Sequence, residues 1–155
     1  MKRSALLVAL SVLVSAQLFA QSQFKYVAKF VCGKADEDQI KSFATSPGLY
    51  YTSINVTNQN LQTAVRGRKR FSIGQLRQRP GPVSAFDSWA LKPGETMQID
   101  CSDIAKHLDF SLGFVEGFVF IVGEPARFEV TAVYTVSDGE RPVSIDVEPL
   151  TPVGR

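Results

Sequence analysis

Three arginines at alternate positions, Arg66, Arg68 and Arg70, carry the clearest chemical signal in this chain. They lie in a stretch from Pro47 to Phe86 that contains six cations and no Asp or Glu. Because alternate side chains of a β-strand point the same way, the spacing predicts three guanidinium groups on one face. Guanidinium groups bind carboxylate, sulfate or phosphate groups with paired hydrogen bonds. The predicted partner is therefore anionic: an acidic glycan, the phosphates of lipopolysaccharide or an acidic protein.

The basic stretch is also compatible with two roles that involve no ligand. The arginines could lie on a solvated edge strand, where charged side chains prevent edge-to-edge aggregation. They could instead pair with the second part of the chain, because residues 87–155 carry twelve acidic and only five basic residues. The three possibilities differ in where the strand lies and in which groups surround it.

Aromatic side chains offer a second kind of binding surface, a platform on which sugars stack. The candidates are Tyr50, Tyr51, Trp89, Phe114, Phe118 and Phe120. Most of them fall in strand-like runs and are expected in the core. Trp89 lies in a connection rich in Pro and Gly, so we expect it to be the exception and a candidate binding residue.

Catalytic and metal-binding patterns are weak. Ser111, His107 and Asp109 could form a triad on paper, but a triad is defined by geometry that spacing does not supply. Two cysteines and one histidine without close spacing make a poor metal site. Residues 36–38 (Asp-Glu-Asp) lack the alternating ligands and the glycine of a calcium loop. The sequence therefore predicts a non-catalytic protein with no metal ligands and no cofactor.

The two cysteines, Cys32 and Cys101, are predicted to form a disulfide, because an even pair in an exported chain is most simply a bridge. The bridge would close a loop of about 70 residues and remove roughly 4 kcal/mol of chain entropy from the unfolded state. Two buried free thiols are the alternative.

The rest of the chain consists mainly of short strand-like runs separated by turn signals. Alternation and turn signals predict about seven strands, at 24–31, 49–57, 63–74, 95–100, 114–122, 127–136 and 142–148. One short helical turn near 102–108 is expected, capped by Ser102 or Asp103. Residues 75–94 are expected to be irregular, and Val143, Ile145 and Val147 to face inward. The sequence predicts an all-β, single-domain antiparallel β-sandwich, immunoglobulin-like or jelly-roll, with a closed barrel second.

The first twenty residues have the layout of a secretory signal peptide. Lys2 and Arg3 precede an apolar run, and Ala20 offers a small-residue cleavage site before Gln21. The predicted organisation is a signal peptide at 1–20 and a β-sandwich domain at 21–155.

Removing the leader leaves 15 basic and 15 acidic residues. A neutral mature chain argues against nucleic-acid binding, and no run after the leader is long enough to span a membrane.

Several segments together resemble a group of small exported bacterial β-sandwich proteins of undefined function. The segments are AKFVCG, YYTSINVTN, LKPGETMQIDCSDI, FVEGFVFIV, VTAVYTV and SIDVEPL, in this order between residues 26 and 150. The resemblance implies a bacterial source, export to the periplasm or beyond, and a sandwich fold. It implies no activity, ligand or functional residue.

Three functions are compatible with these patterns. The first is a non-catalytic exported module that binds an envelope protein or an anionic glycan through the basic strand. The second is a structural subunit of the envelope that assembles with copies of itself. The third, less favoured, is a small extracytoplasmic hydrolase. Neither the ligand nor the oligomeric state follows from the sequence.

We expect the mature protein to start at Gln21 or Ser22. The reason is that a short apolar leader followed by a small residue is cleaved during export. N-terminal sequencing of protein from the envelope fraction measures this directly, and Met1 retained in that fraction contradicts it.

Overall fold

The computed structural model describes residues 24–36, 46–75, 79–108, 113–123 and 128–153. Within these ranges the chain forms nine β-strands and one α-helix. The elements are β1 (Phe24–Ala35), β2 (Gly48–Asn58), β3 (Val65–Gly74), β4 (Pro80–Val83), β5 (Asp87–Leu91), β6 (Thr96–Asp100), α1 (Cys101–Leu108), β7 (Val115–Gly123), β8 (Phe128–Ser137) and β9 (Pro142–Pro149). The all-β prediction is confirmed, and the predicted leader at 1–20 lies outside the described residues.

All the strand pairs are antiparallel. The strands follow the order β4-β3-β7-β1-β2-β8-β9, while β5 pairs with β3 and β6 pairs with β2. β5 and β4 share one edge of β3, because β5 pairs with residues 65–69 and β4 with residues 72–74. β3 therefore lies between β7 and these two short strands, in the interior of the sheet.

Strand β1 changes its partner at Gly33. Residues 24–32 of β1 pair with β7, and residues 33–35 pair with β2. Gly33 has a φ of 95°, and a Cβ atom there would lie 2.2 Å from the carbonyl oxygen of Gly113. Only glycine tolerates both the conformation and the close approach.

Thr52 of β2 joins the two strands just before this change. Its buried hydroxyl accepts a hydrogen bond from the N–H of Val31 and donates one to the carbonyl of the same residue, both at 2.9 Å. The Thr52 side chain thus satisfies two backbone groups of β1 at Val31, two residues before β1 begins to pair with β2 through its backbone.

The Cys32–Cys101 disulfide is confirmed, with the Cα atoms 5.7 Å apart. It joins β1 to the first residue of α1. The helix is capped by Asp100, whose Oδ1 accepts the N–H groups of Ser102 and Asp103 at 2.8 and 3.0 Å. Asp103 accepts the Asp100 N–H in return, which completes a reciprocal capping box. The predicted cap at Ser102 or Asp103 is therefore wrong, because both residues donate to the cap from inside the helix.

Burial raises the pKa of Asp100, but the hydrogen bonds it accepts outweigh burial and leave the pKa below its usual range. The donors are the Asp103 and Ser102 N–H groups and the Tyr51 hydroxyl. The cap is therefore charged at neutral pH, as the positive end of a helix favours.

Alternating side chains build the core. Thr52, Ile54 and Val56 of β2 are fully buried, and so are Val119 and Ile121 of β7, as the period of two predicts. Phe30 and Phe71 are the largest side chains that are completely buried. The opposite face of β7, which carries Phe118 and Phe120, is open to solvent to different degrees.

Two segments differ from the sequence predictions. Residues 75–94 are not wholly irregular, because they contain β4 and β5; prolines are tolerated in β4 since it lies at an edge. The three apolar residues of β9 do not face inward, because Ile145 is 63% exposed and Val143 and Val147 are similarly exposed. β9 is the last strand in the order, and among the described residues no second layer covers its apolar side.

No helix in the described part of the chain has the length and apolar character that a membrane span requires.

We expect Thr52→Val to lower the free energy of unfolding by about 1–3 kcal/mol, because it leaves the partly buried N–H and carbonyl of Val31 without partners. Thr52→Ser is the matched control, since it keeps the hydroxyl. Urea unfolding of both variants measures the difference. Equal stability of the valine variant and the wild type would show that the Thr52 bridge contributes nothing.

Candidate functional site

The candidate site is a solvent-facing surface that β1, β3 and β7 form together. In the register, Arg68 lies beside Val122 of β7, which in turn lies beside Lys25 of β1. One row along, Arg70 lies beside Phe120. Arg66, Arg68 and Arg70 occupy alternate positions on the side of β3 opposite the buried Val65 and Phe71. We call Lys25, Arg68, Arg70, Phe86 and Phe120 the basic face.

Aromatic rings hold the cations of the basic face. The guanidinium carbon of Arg70 lies 4.8 Å from the ring centre of Phe86 and 5.3 Å from that of Phe120. Arg68 contacts Phe86 at 5.0 Å, and the Lys25 ammonium contacts Phe120 at 5.3 Å. Phe86 is itself 43% exposed. These are distances at which a ring face attracts a cation, so the charged groups are positioned without being neutralised.

Carboxylates do not balance these cations. Among the described residues, no Asp or Glu oxygen lies within 4.0 Å of Lys25, Arg66, Arg68 or Arg70. Pairing with the acidic part of the chain holds instead for Lys69, on the opposite side of β3, which forms an ion pair with Asp87. The alternative of a solvated edge strand does not hold, because β3 is hydrogen-bonded on both sides.

Trp89 does not belong to this surface, and the expectation of an exposed Trp89 is wrong. Its side chain is 7% exposed and packs edge-on against Phe128, with ring centres 5.4 Å apart. The register places Trp89 beside Gly67, where a Cβ atom would lie 2.3 Å from the indole. Gly67, between two arginines, therefore makes the space that buries the ring.

His107 lies at the end of α1, near Asp87. Its Nδ1 is 2.8 Å from the carbonyl of Asp103, its Nε2 is 3.6 Å from Asp87 Oδ2, and its ring contacts Phe71. Asp109 and Ser111, the other members of the triad drawn from sequence, lie outside the described residues.

The described ranges hold no group of three or more His, Cys, Asp or Glu side chains arranged to bind a metal ion. Asp36 is described, whereas the other two acids of the 36–38 run are not.

Two members of the basic face, Lys25 and Phe86, were missed by sequence reasoning, whereas Phe120 was a stacking candidate without a predicted position. Phe86 is 16 positions from Arg70 in the chain, and Lys25 and Phe120 come from strands that only the register brings beside β3. The one local signal was the apolar character of both faces of residues 114–122, which left Phe120 without a partner in the core.

No protein-family model, curated protein or solved structure matches this chain. The function must therefore be argued from the geometry.

The Lys69–Asp87 pair predicts a pH-dependent stability. The hydrogen bond from Lys69, assisted by the charge of His107, holds the pKa of Asp87 below its usual value against the effect of burial. A lowered pKa stabilises the fold above the ordinary carboxyl pKa and loses that effect as the pH falls through the folded-state value. Asp87→Asn should thus lower the free energy of unfolding at pH 7 by less than about 1 kcal/mol, since Asp87 is 42% exposed.

The difference between Asp87→Asn and the wild type should shrink as the pH falls below the ordinary carboxyl value and vanish once the pH lies below the lowered pKa of Asp87. In a Lys69→Met background the substitution should have little effect at pH 7, because the partner is already gone. Denaturant unfolding across this pH range measures both. A stability difference that persists unchanged in acid contradicts the assignment.

Proposed function

We propose that this protein is an exported, non-catalytic β-sandwich that binds an anionic polysaccharide of the bacterial envelope through its basic face. The observation that carries the proposal is Arg70. Its guanidinium contacts the rings of both Phe86 and Phe120, with no carboxylate within 4.0 Å among the described residues.

The spacing of the cations supports a polymeric ligand. Arg68 and Arg70 are separated by two residues of one strand, about 7 Å. Lys25 lies two strands from Arg68, about 10 Å away. An extended acidic polysaccharide carries charges at intervals of this order, and the exposed ring of Phe86 offers an apolar surface on which a sugar ring stacks.

The proposed sandwich and export rest on two further observations. Buried side chains from β1, β3 and β7 pack in one cluster with those from β2, β6 and β8, which is what two sheets facing each other across one core would give. The Cys32–Cys101 disulfide is compatible with an oxidising compartment.

The exposed apolar row on β9 favours a second candidate function, a subunit that assembles with copies of itself. Val143, Ile145 and Val147 share one side of the last strand in the order. Antiparallel pairing of two β9 strands centred on Ile145 would place Val143 opposite Val147 and Asp146 opposite Ser144. Direct acid–acid contacts would then be avoided.

Binding to dextran sulfate, with neutral dextran as the comparison, tests the first proposal. We expect Arg68→Gln/Arg70→Gln to weaken binding to dextran sulfate about tenfold at low salt, because each lost charge contact is worth up to about 1 kcal/mol. Affinity of the wild type should fall with added NaCl, since exposed charges are screened.

The matched control is Lys34→Gln/Lys92→Gln, which removes two exposed cations away from the basic face. It should bind like the wild type. Equal affinity of the arginine variant and the wild type, or binding of neutral dextran that equals binding of dextran sulfate, refutes the proposal.

A further inference from the structure

A second concave site, independent of the basic face, lies where β1 passes over β2, β8 and β9. We call it the β1 cleft, and its volume is about 390 Å³. Its walls include Lys29, Val31, Tyr50, Tyr134, Asp146 and Glu148. Cavities of this size are typical of specific ligand sites.

The cleft is bordered at Lys29 and Val31 by an edge of β1 whose hydrogen bonds are only partly used. At one end, the carbonyl of Lys25 accepts the N–H of Val153 at 2.6 Å. At the other end, Thr52 satisfies both backbone groups of Val31. The backbone groups of Lys25 and Val31 that make these bonds point away from β7. Because this direction repeats at every second residue of an antiparallel strand, the N–H and carbonyl groups of Val27 and Lys29 point to the same side.

These groups of Val27 and Lys29 have no partner among the described residues. The C-terminal segment covers the edge at Lys25 and β2 reaches it at Val31, which leaves the gap between them. A backbone edge of this kind pairs with an extended polypeptide, as in other strand-addition complexes.

The part of the lining that β9 contributes is acidic. Asp146 and Glu148 are alternate residues of β9, and within the described ranges neither has a Lys or Arg nitrogen within 4.0 Å. Lys29 does not neutralise them, because its ammonium pairs with Glu116 at 2.8 Å. The Tyr134 hydroxyl donates to Glu148 at 3.1 Å; burial and the neighbouring carboxylates raise the pKa of Tyr134, so the hydroxyl remains a donor at neutral pH.

We infer that the β1 cleft binds an extended basic segment of another polypeptide. The segment pairs its backbone with Val27 and Lys29 and directs lysine or arginine side chains at Asp146 and Glu148. The rings of Tyr50 and Tyr134 line the same cavity and contact the aliphatic parts of these side chains. The carboxylates select a basic segment over a neutral or acidic one.

A blocked six-residue peptide of alternating valine and lysine is the probe, added to the mature protein labelled with ¹⁵N. We expect binding to protect the amide protons of Val27 and Lys29 from exchange. Asp146→Asn/Glu148→Gln should weaken the affinity about fivefold, whereas Glu129→Gln/Glu140→Gln, which removes two exposed acids elsewhere, should leave it unchanged. Both variants are checked for the wild-type fold by circular dichroism.

Two altered peptides separate strand addition from simple charge attraction. A peptide with glutamate in place of lysine should not bind, and one with alternate N-methylated backbone positions should bind much more weakly at the same charge. The inference is overturned by no binding of the valine–lysine peptide, by equal binding of the N-methylated peptide, or by protection confined to the amides of β9, which would place the peptide on the other free edge.

Discussion

The change of partner of β1 at Gly33 is the constraint on which the other features depend. β1 belongs to the β7 and β3 group through Cys32 and to the β2 group from Gly33 onward. A strand makes such a change only where the backbone bends, and a side chain at Gly33 would collide with the Gly113 carbonyl. The Thr52 hydroxyl and the Cys32–Cys101 bridge hold the strands together beside the bend.

The same bend creates the surfaces that can bind ligands. Because β2 pairs with β1 only from Gly33 onward, the edge groups of Val27 and Lys29 lack partners among the described residues, and Lys29 lines an open cleft. The solvent-facing side of β1, with Lys25, stays in register with β7 and β3 and contributes to the basic face. One strand thus takes part in a basic surface through its side chains and in an acidic cleft through its backbone edge.

Periodicity predicted what depends on a single strand. The alternation of residues 49–57 puts Thr52, Ile54 and Val56 on one side of a strand, and that side is buried. The even cysteine count, in a chain with a predicted leader, predicted the disulfide. Periodicity failed where a neighbour decides the outcome. Trp89 is buried because Gly67, 22 positions earlier, leaves room for it. The alternation of β9 shows which residues share a side, but it does not show whether a second layer covers that side.

The members of the basic face show the same limit. The alternation of Arg66, Arg68 and Arg70 follows from the strand alone, whereas the contact of Arg70 with Phe86 and Phe120 follows from pairing between distant segments. Asp100 was missed as the helix cap because it also ends β6. A residue that ends one element and caps the next is assigned by its sequence pattern to the first element alone.

Charge segregation in this chain matters through local contacts rather than through a long-range field. Residues 21–155 are formally neutral, with 15 basic and 15 acidic residues, and exposed charges are screened beyond about 8 Å at physiological salt. Glu116 neutralises Lys29 of β1, and Asp87 neutralises Lys69 on the opposite side of β3. Within the described ranges, what remains unpaired on this face is a small set of cations whose attraction for a ligand acts only on contact.

Because the attraction acts only on contact, the aromatic rings determine how strongly each cation contributes to binding. An exposed arginine loses side-chain entropy when it orders around an anion, and that loss opposes binding. Arg70 has Phe86 on one side and Phe120 on another, so its guanidinium is held in place before any ligand arrives. Arg66 lies on the same side of β3 without such a ring contact in the described structure. The affinity for an anion should therefore depend most on Arg70, less on Arg68 and least on Arg66, although the three carry the same charge.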